Sequence, residues 1–317
     1  MANLYLQVTR DAQIALNEFS SAFAEALALA DPVGWARQFG LVNSSRAIRT
    51  TYPIPVSAAG YRERKGDDKM RSLYEKSLSM SPIEWHDGVQ ALARVIEAPD
   101  FIGWAGEPGR IAREAARLPN TIVSAMLAAN PTLEFDGKAL FASDHPINVF
   151  DVAGASFDND STTAAINSAF FSDIKTRFRK RVGANGKRLG LQVTHLLVPP
   201  DLEQAARDAL ENDMIVTAVR NQADSDNVGG AATNNRHKGT VEIVVGDELE
   251  DTDVFYALDG SAGVFPWIVQ DGGAPEQIAY DKASDFYKDT GKLGLKYVLT
   301  MATAAALPHA IERITMV

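Results

Sequence analysis

The chain has 317 residues, of which 46% are hydrophobic and 23% charged, an ordinary composition for one large or two modest globular domains. It has no cysteine, which excludes disulfides, zinc–thiolate sites and thiol catalysis and fits a reducing cytoplasm. The net charge of -10 argues against tight binding to nucleic acid, although a local basic patch remains open. The first residues lack a signal-peptide pattern, and no apolar run reaches the ~18 residues of a membrane span. We therefore expect no membrane partner.

The first predicted element is a helix over residues 10–30. Thr9 suits the N-cap position, and Asp31–Pro32 ends the helix. Apolar side chains recur in it at near-helical spacing, at Ile14, Phe19, Phe23 and Leu27. This apolar stripe must pack on another surface, either in the same chain or in another one.

Residues 46–97 predict a long β-ribbon. Prolines disfavour helix from Arg49 to Ala58, and partial alternation after position 76 contains an Asp87–Gly88 turn. Between these stretches lies a charge-dense segment, residues 61–71. Such a ribbon cannot bury enough apolar area by itself and needs a partner surface, with a solvated loop as the alternative.

A second long helix is predicted from about residue 107 to residue 130. Pro108 suits its first turn, and Asn130–Pro131 ends it. Because Pro119 removes one backbone hydrogen bond, we expect a kink or a split at that position. The helix leads into an Asp-Gly turn, LEFDGKALF, which we interpret as the start of a small sheet near residue 132.

The next stretch predicts a compact α/β unit. After a polar connector, a helix over about 163–182 carries apolar residues at i, i+4 spacing. Those residues are Ile166, Phe170, Ile174 and Phe178. A glycine-containing turn, a buried-type strand around His195 and a helix from about 201 to 212 follow.

The rest of the chain predicts a loop and then strands. Residues 221–239 are rich in Asn, Gly, Ser and Asp and predict a long loop. Strands are predicted after it, and we interpret those in residues 273–317 as returning to the sheet that begins near residue 132.

Motifs for metal or phosphate chemistry are incomplete. Gly183–Lys187 lacks the spacing and the Ser or Thr of a phosphate loop, so we interpret it as a turn. The segment that begins at Asp158 lacks the sixth-position glycine of a calcium loop. The acidic residues from Asp247 to Asp253 are interpreted as a solvated turn. No histidine has a second histidine at i+3 or i+4, so a helical metal site is not expected.

Histidines and basic residues suggest structural roles. We expect His195, inside an apolar strand, to be a core residue with satisfied hydrogen bonds. His145 follows Ser143 and Asp144, but neighbours on one turn do not converge as a catalytic triad requires. The basic run at 175–188 suits either a nucleic-acid contact or, as we favour, a helix end paired with an acidic neighbour.

Three stretches carry a family resemblance: LPNTIVSAMLAANPTLEFDGKALFASDHP (118–146), HLLVPPDLEQAARDAL (195–210) and the pattern that begins VEIVVGDELEDTDVFYAL (241–258). The core of the first stretch runs from Asp136 to His145. Together with the order of the predicted elements, these stretches resemble the major capsid protein of tailed phages, and above all the major head subunit of Mu-like phages. The resemblance covers most of the chain from about residue 40.

The resemblance implies an α+β tailed-phage major capsid fold with four parts. These are an N-terminal arm (1–45), an extended β-ribbon loop (46–100), a peripheral domain with a long spine helix (101–150 and 273–317) and an axial α/β domain (151–272). It also implies that the extended loop lies over a neighbouring subunit, where mixed charges set the register. The predicted interface residues of this loop are Arg62, Glu63, Arg64, Lys65, Asp67, Asp68, Lys69 and Arg71.

The implied function is structural: hexamers and pentamers of this chain assemble into an icosahedral head around double-stranded DNA, which they contact weakly. The implied partners are a portal, a decoration protein as a further candidate, and a scaffolding protein, expected to be separate because only about 45 residues precede the loop. No cofactor, metal or catalytic residue is expected. We expect assembly in the host cytoplasm and residence in the virion. The alternatives are an encapsulin-like nanocompartment shell and an α/β hydrolase or metal enzyme that depends on His145.

Overall fold

The structure is a computed structural model. It describes residues 2–30, 34–53, 76–96, 106–149, 151, 153–220, 228–261, 263 and 265–317. The α-helices of these residues are α1 (Ala2–Leu29), α2 (Trp35–Phe39), α3 (Ala93–Ile96), α4 (Glu107–Ala129), α5 (Ser168–Lys180), α6 (Glu203–Leu210) and α7 (Asp285–Thr290). Short 3-10 helices lie at Pro200–Leu202 and Pro308–Ala310.

The strands of the described residues form two main sheets and three small pairs. The strands in the first half of the chain are β1 (Leu41–Ser44), β2 (Thr50–Pro53), β3 (Ser77–Met80), β4 (Ile83–Leu92), β5 (His145–Pro146), β6 (Ser156–Phe157), β7 (Asp160–Thr163) and β8 (His195–Val198). Those in the second half are β9 (Met214–Arg220), β10 (Val228–Asn234), β11 (Glu242–Val245), β12 (Val254–Leu258), β13 (Trp267–Asp271), β14 (Glu276–Tyr280), β15 (Lys292–Ala305) and β16 (Ile311–Met316).

The first main sheet is built around β15, the longest strand. β4 pairs antiparallel along one edge of β15, and β13 and β14 pair antiparallel along the other. β1 extends the sheet by parallel pairing with β13. Helices α1 and α4 cover one face, where Phe19 and Ile111 pack with Leu295 and Tyr297.

The second main sheet has the order β11-β8-β12-β16-β7. Helices α5 and α6 cover one face and bury Phe171, Ile174 and Phe178 against Phe255 and neighbouring residues. The opposite face joins the largest core of the protein, which also contains side chains of α2, α4 and the first sheet. The apolar i, i+4 stripe predicted for α5 is therefore confirmed as the buried face of that helix.

The first helix begins earlier than its sequence pattern predicts. α1 starts at Ala2, so Thr9 lies inside the helix and the prediction of an N-cap there is wrong. No glycine or proline interrupts residues 2–30, and residues without either tend to propagate a helix once it is nucleated. The apolar face predicted for this helix packs on the same chain, through Leu16, Phe19 and Phe23.

The predicted ribbon is only partly correct. β2 pairs antiparallel with β3, which forms the base of a ribbon, whereas β4 joins the first sheet instead. The Asp87–Gly88 turn is wrong, because both residues lie within β4 opposite Tyr297 and Lys296. A Cβ at Gly88 would come within 2.3 Å of the carbonyl oxygen of Leu295. Glycine at this position therefore permits the close approach of β4 and β15, and it does not form a turn.

Helix α4 continues without interruption through Pro119, so the predicted split does not occur. Pro119 and Val123 are buried against the core, and this tertiary packing outweighs the missing hydrogen bond. The predicted end is confirmed, since Asn130 is the left-handed C-cap with φ 47°. The small sheet predicted near residue 132 is wrong: only one isolated bridge, between Thr132 and Ala139, forms there.

The later elements differ from their sequence predictions mainly in where they begin and end. α5 begins at Ser168 because Asn167 caps it, its side-chain oxygen accepting from the backbone N–H of Phe170 at 3.0 Å. The loop predicted at 221–239 is wrong in part, because β10 pairs with β9 as a hairpin. The Gly183 turn is confirmed by the backbone hydrogen bond from Gly183 to Lys187. The C-terminal strands divide between sheets, β15 in the first and β16 in the second.

Candidate assembly surfaces

The predicted interface residues of the extended loop lie outside the described residues, but the base of the ribbon is well defined. Pro53 and Ser77 face each other across β2 and β3. Tyr52 and Leu78 are buried in the largest core, and the Tyr52 hydroxyl accepts a hydrogen bond from the Asn43 side-chain amide at 2.6 Å. The facing ends of β2 and β3, at Pro53 and Ser77, are therefore fixed by packing.

The N-terminal helix is anchored on the first sheet of its own chain. The rings of Phe23 and Tyr297 stack with centroids 3.7 Å apart, and Phe19 lies on the same tyrosine ring at 6.4 Å. The Ser20 hydroxyl donates to the Gln277 side chain at 2.6 Å. Within the described side chains, the contacts of this helix are intramolecular and hold it across β15.

A buried ion pair joins the end of α5 to the last strand. One oxygen of Glu312 accepts from Arg181 at 2.7 Å and the other from Arg177 at 2.5 Å. Arg181 also donates to the carbonyl oxygen of His309. Burial lowers the pKa of Arg181 to about 10, opposed by the charge of Glu312, and burial likewise raises the pKa of Glu312. The interpretation that this basic helix end pairs with an acidic neighbour is thus confirmed for Arg177 and Arg181.

His145 is enclosed by hydrogen-bond acceptors. Its Nδ1 lies 2.8 Å from an Asp136 carboxylate oxygen, and its Nε2 lies 3.1 Å from the carbonyl oxygen of Leu140. The His145 side chain is 0% exposed and that of Asp136 only 2%. Because both ring nitrogens face acceptors, neither is left to activate a nucleophile. This geometry gives the Asp136–His145 segment a structural role: it fixes the turn that follows α4.

The Phe157 ring lies beside both the Arg181–Glu312 ion pair and His145. Its ring stacks on His309 at 3.9 Å and on His145 at 5.2 Å, and the Arg181 guanidinium lies 5.7 Å from its centroid. Burial lowers the pKa of His309 to about 3, and the charges of Arg181 and His145 lower it further. We name this group, Arg181, Glu312, Phe157, His309 and His145, the buried joint. It holds the turn after α4 against α5 and β16.

A second contact joins α4 to the turn after β11. Glu248 accepts from the Trp35 indole N–H at 3.1 Å and from Arg117 at 3.0 Å, and its carbonyl oxygen accepts from Ser124 at 2.6 Å. The predicted solvated turn is therefore correct for Asp247, which is 71% exposed, but not for Glu248, which is 9% exposed.

Sequence reasoning missed the Asp136–His145 pair and the Arg181–Glu312 pair. The first had a signal, because the family pattern runs between these two residues. For the second, the basic run predicted an acidic partner, but no signal identified Glu312, which lies 131 residues from Arg181. His195 occupies the predicted strand and lies half-buried beside Phe39, its Nε2 3.3 Å from Glu242.

The described residues contain neither a cluster of metal-ligand side chains nor a helix that could span a membrane. No group of three His, Asp or Glu side chains in that part of the chain could hold a metal ion. Asp160, from the incomplete calcium-loop pattern, is instead bound by Arg313 at 2.6 Å. No helix of the described ranges combines the length and apolar character needed to cross a membrane.

Two family models match this chain. A phage capsid protein model matches residues 95–314, and a model of the Mu-like prophage major head subunit gpT matches residues 13–172. Each match spans more than half of the chain, and together they cover residues 13–314, which include α4 and most of both main sheets and of α1. A comparison with curated proteins gave no significant match.

Solved structures share the fold. The procapsid of bacteriophage JBD30 is 17% identical, with 96% of this chain and 75% of that chain covered and a TM-score of 0.55. The mature capsid of bacteriophage PhiM1 is 12% identical over 90% and 87%, with a TM-score of 0.53. A virus-like particle from Pyrococcus furiosus is 9% identical over 94% and 98%, with a TM-score of 0.51. The α+β tailed-phage capsid fold expected from the sequence is thereby confirmed.

Proposed function

The chain belongs to the phage capsid protein family, and on that premise we propose that it assembles as hexamers and pentamers into an icosahedral head around double-stranded DNA. Its function as a structural component of the virion head follows from the family itself. The observation that carries the proposal is the pair of family matches, which describe a capsid protein and a major head subunit over most of the chain. The encapsulin-like alternative has less support, because neither model describes such a shell.

We further propose the division into parts that the resemblance implies. Residues 1–45 act as the arm, 46–100 as the extended loop, 101–150 with 273–317 as the peripheral domain, and 151–272 as the axial domain. The pairing of β2 with β3 supports this, because it places Pro53 and Ser77 opposite each other, as the base of a loop between them requires. The charged residues from Arg62 to Arg71 then contact a neighbouring subunit.

The remaining proposals concern the partners of the chain and the compartment in which it assembles. Head assembly in the host cytoplasm would involve a separate scaffolding protein, a portal and a decoration protein, with only weak contact to packaged DNA. The net charge of -10 supports weak DNA contact, because phosphate binding requires a surplus of cations. We propose no enzymatic activity, and the enclosure of His145 by Asp136 and Leu140 supports that view.

The test compares the full chain with a variant that lacks residues 61–71. Electron microscopy of the purified wild type should show closed shells with five-fold and six-fold clusters. The deletion variant should remain folded by circular dichroism yet form no stable shells. A control that replaces the same eleven positions with a Gly/Ser linker separates the charged contacts from the loop length. Normal shells from both variants would refute the role of the loop, and a wild type that never forms closed particles would refute the head function.

A further inference from the structure

One flank of α5 carries cations that have no carboxylate partner among the described residues. Lys175 and Arg179 lie one helical turn apart, and the turn before β11 places Arg236 and His237 beside them. The Lys175 ammonium lies 3.2 Å from His237 Nδ1, and the Ser172 hydroxyl lies 3.2 Å from His237 Nε2. We name Lys175, Arg179, Arg236 and His237 the basic patch.

The basic patch is held in place by a rigid turn. The Asn235 side chain donates to the carbonyl oxygens of Ala209 at 2.8 Å and Asn212 at 3.0 Å, and accepts from the backbone N–H of His237 at 3.0 Å. Lys175 also donates to the Thr240 hydroxyl. The Asn235 bonds fix the backbone of the turn against the end of α6, and the Lys175 bond links the turn to α5.

The positive charge of the patch is uncompensated within the described residues. In that part of the chain, no carboxylate forms a salt bridge with Lys175, Arg179 or Arg236, whereas the adjacent Lys238 pairs with Asp213. Burial lowers the pKa of Lys175, and the charge of Arg179 lowers it further. Burial and then the charge of Lys175 lower the pKa of His237, with a smaller contribution from Arg236. Cations that repel one another in this way favour an external anion.

The same chain presents a complementary acidic surface. Glu250, Asp251 and Asp253 are exposed in the turn between β11 and β12, and no salt bridge to them is formed by the described residues. We name these three residues the acidic turn. The acidic turn follows β11 in the chain, whereas the turn that carries Arg236 and His237 precedes β11, a four-residue strand about 13 Å long. β11 is an edge strand of the second sheet, which leaves both ends of the edge accessible.

We propose that the basic patch of one copy binds the acidic turn of a neighbouring copy. This inference rests on the proposed assembly and identifies one of its contacts. Two different patches on one chain suit repeated copy-to-copy contacts, which close into rings when the rotation permits. A second copy is favoured over nucleic acid because the chain carries a net charge of -10 and its acidic turn would repel phosphates. Such charge contacts set register and association rate.

The experiment is a charge swap. Variant one is Arg179→Glu with Arg236→Glu, variant two is Glu250→Arg with Asp251→Arg, and variant three combines both pairs. Either pair alone should raise the protein concentration needed for assembly by about tenfold or more, because like charges then face each other. The combined variant should return to within about threefold of the wild type. Lys288→Glu on α7, an exposed cation outside the patch, serves as the matched control and should assemble normally.

The outcomes separate this contact from the head function. Thermal unfolding of the unassembled variants checks that each subunit folds, since all five altered residues are exposed. Closed particles test the head function, whereas copy-to-copy association in sedimentation, with or without closure, tests the contact. Normal association of variants one and two, or no recovery in variant three, would overturn the proposal. Normal association together with weaker binding of a short DNA duplex by variant one would overturn it in favour of nucleic acid.

Discussion

Helix α5 and its C-cap carry basic residues on two flanks that have opposite surroundings. On one flank, Arg177 and Arg181 converge on Glu312 inside the protein. On the other flank, Lys175 contacts the half-buried His237, and Arg179 and Arg236 lie near this pair. A single basic run of the sequence thus contributes to two structures: one is paired within the chain, and the other has no carboxylate partner in the described part of the chain.

The difference arises from the elements that reach each flank. β16 brings Glu312 to the first flank, where its side chain is 1% exposed. The turn held by Asn235 brings further cations to the second flank. Buried charges must be paired because desolvation is costly, whereas exposed cations are tolerated in water until a partner arrives. We therefore assign the first flank to subunit stability and the second to assembly, and the predictions below test that assignment.

Arg181→Ala should give the largest loss of stability. It leaves the buried Glu312 carboxylate without its main partner, and breaking a buried pair from one side costs about 3–5 kcal/mol. Urea unfolding of the unassembled subunit, followed by circular dichroism, would measure the change.

The matched control for this prediction replaces both partners, Arg181→Met with Glu312→Leu. Removal of both buried charges should restore most of the stability, because well-packed apolar residues replace such pairs at little cost. A loss from Arg181→Ala below about 1 kcal/mol, the range of surface pairs, would show that the pair is not the desolvated contact described here.

The next largest effect concerns acid stability and His309. Burial lowers the folded-state pKa of His309 to about 3, against an ordinary value of 6.5. Between these values the unfolded chain binds a proton that the folded chain does not, so stability falls as the pH falls through this window. The slope is about 1.4 kcal/mol per pH unit, which gives about 2 kcal/mol between pH 6 and pH 4.5.

His309→Phe provides the comparison for this pH dependence. Phenylalanine keeps the stacking on Phe157, and it removes the ring nitrogen Nε2, which has no hydrogen-bond partner among the described residues. Urea unfolding at pH 4.5, 5, 5.5 and 6 should show a smaller slope for the variant by about one proton. Equal slopes in both proteins would assign the acid sensitivity to other groups.

Local sequence signals were sufficient for elements whose pattern agrees with their packing. The i, i+4 apolar residues of α5 and the Asn130 end of α4 are set by side chains within a few residues. Local sequence signals gave wrong predictions where packing against distant parts of the chain overrides a local rule. Pro119 stays in a continuous helix because its surroundings are buried, and Gly88 lies in a strand because the backbone at Leu295 leaves no space for a Cβ.

The candidate surfaces, too, could be predicted from the sequence only where the signal is local. Sequence alone identified the basic run, but it could not assign each cation to a flank, because Glu312 and Arg236 are brought to α5 only by the fold. The Asp136–His145 pair lies within nine residues and within the family pattern, but the ring that stacks on His145 comes from Phe157, outside that pattern. The charged loop residues from Arg62 to Arg71 lie outside the described residues, and their contact with a neighbouring subunit stays a prediction.

The smallest effects come from a matched pair of exposed arginines, Arg177→Ala and Arg179→Ala. Arg177 contacts Glu312 but is 42% exposed, so its loss should cost about 0.5–1 kcal/mol of subunit stability. Arg179 has no carboxylate partner in the described chain, so its loss should change the free energy of unfolding by less than about 0.5 kcal/mol. Assembly should respond in the reverse order: Arg179→Ala raises the concentration needed for copies to associate, and Arg177→Ala leaves it unchanged. Because the two substitutions remove the same side chain two residues apart, equal effects on both measurements would mean that the two flanks do not have separate roles.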